Sequence, residues 1–182
     1  MKTAITTFLA LSVLALGQTS EVGKRAENQQ DRIANGAGSG QLTPHETANL
    51  ENKESAIHQE VRTDRSLNGG HLTGQEKQIV NQQQNSMSRQ IYRDKHNAAQ
   101  QNYGKSEVGQ RQENQQDRIA NGIKSGRLNA AQTARLEKNE SGINREVRTD
   151  RSQNGGHLTP GEKRQVNRQQ NGMSRRIYRA KH

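Results

Sequence analysis

Residues 20–96 of this 182-residue chain recur as residues 106–182 at a fixed offset of 86, with 53 of 77 positions identical, and residues 97–105 join the two copies. Whatever one copy folds into, its twin must fold into as well, so the unit to explain is a 77-residue module used twice. A fainter repeat of 30 residues lies inside each copy, where Gly40-Gln41-Leu42-Thr43 is followed by Gly70-His71-Leu72-Thr73. Each copy therefore contains two turn-plus-helix units. The expected organisation is a leader over 1–17, a first repeat over 18–96, a linker over 97–105 and a second repeat over 106–182.

Behind each turn, large apolar residues recur at steps of seven and four: Leu50, Ile57, Val61; Val80, Met87, Ile91; Leu136, Ile143, Val147; Val166, Met173, Ile177. Those steps keep to one face of a helix, whereas a strand would alternate by two. Val22 with Ile33, and Val108 with Ile119, follow the rule more loosely ahead of the first turn. The spacing predicts an all-α fold, a tandem duplication of a three-helix module, with helices over 21–34, 44–62, 74–95, 107–120, 130–148 and 160–181. The apolar stripe is narrow. Only 21 Leu, Ile, Val and Phe residues lie between 18 and 182, about 13% of that stretch, which excludes a large enzyme core. The linker lacks the apolar grammar of the repeats, so the two modules are expected to move on it.

The first 17 residues carry one charge, at Lys2, then an apolar run from Ala4 to Leu16, with small residues Ala15 and Gly17 before Gln18. This is the pattern of a secretory signal peptide, too short for a membrane span of about 20 residues. A secreted or periplasmic protein is the expectation. The chain has no cysteine, which removes disulfides, Cys-ligated zinc, iron–sulfur clusters and thiol nucleophiles. No Ser/His/Asp constellation or phosphate-binding loop is present either, so a non-enzymatic role is expected.

Each turn ends in Leu followed by a helix-start signal: Thr43 with Glu46, Thr73 with Glu76, Asn129 with Gln132, and Thr159 with Glu162. Two readings are open. In a capping box, the Thr or Asn side chain accepts from the backbone three residues on, and the Glu or Gln reaches back. Pro44 and Pro160 suit the first helical position, where a missing N–H costs nothing. The other reading is a cation loop. A helix, a turn ending Gly-x-Leu-Thr-x-x-Glu and a second helix resembles a degenerate EF-hand. The chain also resembles small secreted bacterial proteins of uncharacterised role that carry Ser-Gly-x-Leu-Thr turns and end in Ile-Tyr-Arg-x-Lys-His. That tail stands here at Ile91–His96 and Ile177–His182.

The EF-hand resemblance implies calcium on Asn35, Ser39 and Glu46 in the first loop, and on Asp64, Ser66 and Asn68 with Glu76 in the second. The departures are plain. Ala37 and Ile123 fill a ligand position, Gln132 stands where a bidentate Glu is needed, and a doubled Gly puts Glu76 and Glu162 one residue late. The second repeat offers Asp150, Ser152, Asn154 and Glu162. A zinc or copper alternative would add His71 between Asp64 and Glu76, and His157 between Asp150 and Glu162.

Charge is unevenly shared. The first repeat has 10 basic and 10 acidic residues and the second has 16 and 8. Much of the difference is amide replaced by arginine: Gln78, Gln82 and Gln90 correspond to Arg164, Arg168 and Arg176. At 100° per residue, Arg164, Arg168, Arg175 and Arg179 share one side of the last helix, opposite Val166, Met173 and Ile177. With Arg176 they form a candidate surface for an anionic polymer or an envelope surface. The function expected is that of a binding module for polyanions, with an EF-hand-like cation binder as the alternative.

Overall fold

A computed structural model describes residues 20–182; the leader reading over 1–17 lies outside the described residues. Those residues form α1 (Glu21–Gly38), α2 (Pro44–Leu67), α3 (Gly74–Lys95), α4 (Glu107–Lys124), α5 (Ala130–Gln153) and α6 (Pro160–Lys181). The protein is all-α. Among the described residues no helix is long and apolar enough to cross a membrane.

Helix starts fall where side chains replace missing backbone partners. Ser20 and Ser106 accept from the N–H of Gly23 and Gly109. Complete capping boxes open α2, α3, α5 and α6, with Thr43/Glu46, Thr73/Glu76, Asn129/Gln132 and Thr159/Glu162 as the pairs. The helix ends differ from the spacing rule. α1 and α4 run on to Gly38 and Lys124, and α2 and α5 to Leu67 and Gln153, four or five residues past the last position that apolar spacing predicts. Backbone bonding continues until a residue that tolerates a left-handed turn arrives, as at Gly40 with φ 72°. The chain then folds back closely enough for Leu42 to lie on Gly36, where an added Cβ would come within 2.7 Å of the leucine side chain.

The apolar stripes all turn inward. Ile33, Leu42, Leu50, Met87 and Ile91 form one cluster, and Ile57, Val61, Leu72 and Val80 another. A larger cluster runs through α4, α5 and α6 and takes in Ala34 from α1. The narrow stripe is supplemented by buried glutamines. Gln29 Nε2 donates to the Gln84 carbonyl at 2.7 Å and to Ser88 Oγ at 2.8 Å, and Gln84 Nε2 donates to the Val22 carbonyl at 2.9 Å, tying α1 to α3. Gln115 and Gln170 make the equivalent bonds between α4 and α6.

The two halves do not stand apart. α1 packs along α4, and α2 packs along α5, each helix against its counterpart. Small residues permit the first approach: a Cβ added to Gly38 would lie 3.3 Å from that of Ala120. The linker is tied down too, since Gln101 N–H donates to the Gly40 carbonyl at 2.8 Å and Asn97 Nδ2 to Glu46 Oε1 at 2.6 Å. Modules moving independently on 97–105 are therefore replaced by one packed body, because each half buries a helix face that it cannot cover alone.

Candidate functional site

The turn residues are placed first by their hydrogen bonds. Glu46 accepts from Thr43 N–H at 2.8 Å and from Asn97, while Asn35 belongs to α1 and Ser39 caps it through bonds to Gly36 and Gln41. Asp64 and Ser66 lie inside α2, and Ser66 Oγ donates back along the helix to the Thr63 carbonyl. Asn68 does meet Glu76, donating from Nδ2 to both carboxylate oxygens at 2.8 and 3.0 Å, and the Thr73 N–H adds a third donor at 2.7 Å. Asp150, Ser152, Asn154 and Glu162 repeat this arrangement, with Asn154 at 3.0 Å from both oxygens of Glu162. Backbone donors hold Glu76 and Glu162 below the usual carboxylate range. His71 and His157 are exposed. These carboxylates are already supplied with protein donors, as capping requires. Among the described residues no three His, Asp or Glu side chains are arranged around one metal position.

The basic face is exposed as its spacing predicts: Arg164, Arg168, Arg175, Arg176 and Arg179 all lie in solvent. Among the described residues the ion pairs are His58–Glu54 and Lys163–Glu107, so none of the five is neutralised by a carboxylate. Between α5 and α6 runs a groove of about 680 Å³ lined by Lys138, Arg168 and Arg176 together with Gly142 and Gly172. Glu146, the one acid on its wall, has both oxygens engaged at 2.7 Å by Gln165 and Gln169. In the first half the matching space is crossed by a bond from Lys53 to Gln90, and Ala56 and Ser86 stand where the two glycines are. Sequence reading found the arginines. It missed Lys138 and the glycines, whose signal was the pair of size reductions at equivalent positions.

A second feature escaped sequence reading altogether. Where α2 crosses α5, Glu51, Glu54, Glu137 and Glu140 are buried, none more than 1% exposed. Thr47, Glu51, Glu54 and His58 follow steps of four, three and four, as do Thr133, Glu137, Glu140 and Asn144. This is a second helical face, rotated from the apolar stripe by about one residue. Gln30 Nε2 donates to Glu51 Oε2 at 3.0 Å, and Gln116 Nε2 to Glu137 Oε2 at 2.8 Å. The remaining oxygens of Glu51 and Glu137, and both oxygens of Glu54 and of Glu140, have no hydrogen-bond partner. His58 Nε2 approaches Glu54 Oε1 at 3.2 Å without hydrogen-bond alignment.

Burial pushes Glu51 up to about 8, opposed by the Gln30 bond and reinforced by Glu54. Burial likewise raises Glu140 to about 8. Glu137 is raised well above the carboxylate range by burial, with the Gln116 bond opposing and the charges of Glu140 and Glu51 adding. The repulsion between Glu51 and Glu137 spans the two halves. No lysine or arginine is among the groups acting on these three acids. The half-buried Tyr103 of the linker is raised by burial and then by Glu137 and Glu140, and its hydroxyl has no partner.

Comparison with protein-family models, with curated proteins and with solved structures returned no match to this chain.

Proposed function

We propose that this chain is an exported helical interaction protein, a fused pair of three-helix modules with EF-hand-like turns, whose second half binds polyanions. The observation that carries the reading is the α5–α6 groove, where Lys138, Arg168 and Arg176 line one opening and no free carboxylate competes with a ligand. Sulfate or phosphate groups along a polymer suit such a site, because each contact releases condensed counterions and the helix holds the guanidinium groups in register. Arg164, Arg175 and Arg179 extend the positive field beyond the groove. The leader pattern at 1–17 and the resemblance to small secreted bacterial proteins support action outside the cytoplasm, against an acidic polymer or envelope surface. Calcium at the turns gains no support from turn geometry, since Glu46, Glu76 and Glu162 are satisfied by protein donors.

The test is anisotropy of a labelled heparin fragment with the full chain across a salt series. Binding is expected to weaken linearly on logarithmic axes. Arg168→Gln with Arg176→Gln, the first-half residues, should lower that slope by about 2 toward a duplex DNA probe used in parallel. Affinity of the double variant equal to that of the parent would overturn the assignment.

A further inference from the structure

The interior acids at the α2–α5 crossing have no part in polyanion binding and are costly for a bundle this poor in apolar residues. A buried carboxylate is tolerated when it is paired, coordinates a cation or stays neutral. Here the protein supplies no basic partner to Glu51, Glu137 or Glu140. It also leaves oxygens of all four acids without donors. A second observation points the same way: Gln116, 1% exposed, uses its amide nitrogen on Glu137 and leaves Oε1, a neutral oxygen donor, without a partner beside the acids.

We propose that Glu51, Glu54, Glu137 and Glu140 form a buried site for hard divalent cations, bridging the two halves of the chain through carboxylate oxygens, with Gln116 as a neutral oxygen ligand. Oxygen-only donors select the Mg²⁺, Ca²⁺ and Mn²⁺ class over zinc or copper. Two divalent ions offset the charge of four ionised carboxylates. Ligation displaces the protons that burial holds on Glu51, Glu137 and Glu140, so binding is accompanied by proton release. No three of these side chains share one ion position as they stand. A glutamate has three rotatable side-chain bonds, and rotation of these carboxylates onto a shared ion is the movement that the site requires.

The two halves differ in access. In the first half His58, whose side chain is 46% exposed, reaches Glu54 and lines an open groove of about 520 Å³ bordered by Ala26, Ile57 and Val61. In the second half Gln112 replaces Ala26 and donates to Asn144, the counterpart of His58. His58 therefore stands between Glu54 and an open groove, whereas the equivalent position in the second half is closed by the Gln112–Asn144 bond.

The experiment uses the full chain stripped with chelator and then titrated with Mn²⁺, followed by the six-line electron paramagnetic resonance signal of the free ion. Attenuation to a saturating stoichiometry is expected, with a rise in thermal midpoint that grows with free Mn²⁺ and a matching release of protons. Glu51→Gln with Glu137→Gln should weaken Mn²⁺ binding about tenfold or more, while Glu76→Gln with Glu162→Gln at the turns should leave it unchanged. Circular dichroism checks that the variants remain helical. In the unmutated protein, Mn²⁺ should broaden the side-chain amide resonances of Gln116 and Gln30 before those of Asn68 and Asn154, so the site is located even if a variant fails to fold. No binding at millimolar Mn²⁺, broadening that begins at the turns, or folded interior variants that bind like the parent would each overturn the proposal.

Discussion

In chelator, raising the pH should unfold this protein from its centre. Glu51 and Glu140 are each held neutral by burial, with a proton affinity shifted from 4.5 to about 8. At about 1.36 kcal/mol per pH unit, that amounts to about 5 kcal/mol for each group as an upper bound. The folded state binds these protons more tightly than the unfolded chain does. Their contribution is thus complete below pH 4.5 and is lost as pH climbs through about 8. Charge on the facing groups adds to the cost: Glu54 and Glu137 lie beside Glu51, and Glu137 beside Glu140, with Gln30, Gln116 and the Tyr103 hydroxyl as the neutral neighbours. Water entering the opened cluster reduces the cost, so a loss of about 3 kcal/mol for the pair is the smallest change that fits the reasoning.

Urea unfolding followed by far-ultraviolet circular dichroism at pH 5 and pH 8, with chelator throughout, measures that loss directly. Glu140→Gln keeps the shape and removes the proton, so its stability should fall distinctly less over the same interval. His58→Asn in a parallel series takes the imidazole near Glu54 out of the comparison. Stability that is level or rising between pH 5 and pH 8 in the parent would refute the argument, because neutral buried acids leave no way to avoid a falling curve.

Three further outcomes follow from the packing. Thr43→Ala, Thr73→Ala and Thr159→Ala should each cost on the order of 1 kcal/mol in denaturant unfolding, with or without calcium, because each hydroxyl caps a helix; a loss seen only with calcium would return the turns to a cation role. Gly142→Ala with Gly172→Ser, the first-half residues, should narrow the basic groove and weaken heparin binding about tenfold with no change in net charge, and unchanged affinity would leave the arginines acting as a diffuse field. The isolated fragment 20–96 exposes the α1 and α2 faces that α4 and α5 cover, so it should sediment as a self-associated species, whereas a stably folded monomer would show that the interface between halves is dispensable.

The helices, their starts and the inward stripe were legible in the residues alone, because these are local matters. Steps of seven and four put Leu50, Ile57 and Val61 on one face wherever the helix finds itself, and Thr73 reaches the Glu76 N–H within a single turn. The exposed arginines of α6 were legible for the same reason, being opposite that stripe. Helix ends were less so, since Asn35 to Gly38 carry little apolar signal and continue the helix through backbone bonds and contact with α4.

What no local pattern contained was the pairing of α1 with α4 and of α2 with α5. That pairing is what makes one packed body of the two halves. It also changes the meaning of four glutamates. On a lone helix, Glu51 and Glu137 are ordinary solvated charges one position from a buried leucine. They become buried and mutually repelling only when two helices carrying the same polar face close on each other, because desolvation is a property of the assembled interior and not of the residue.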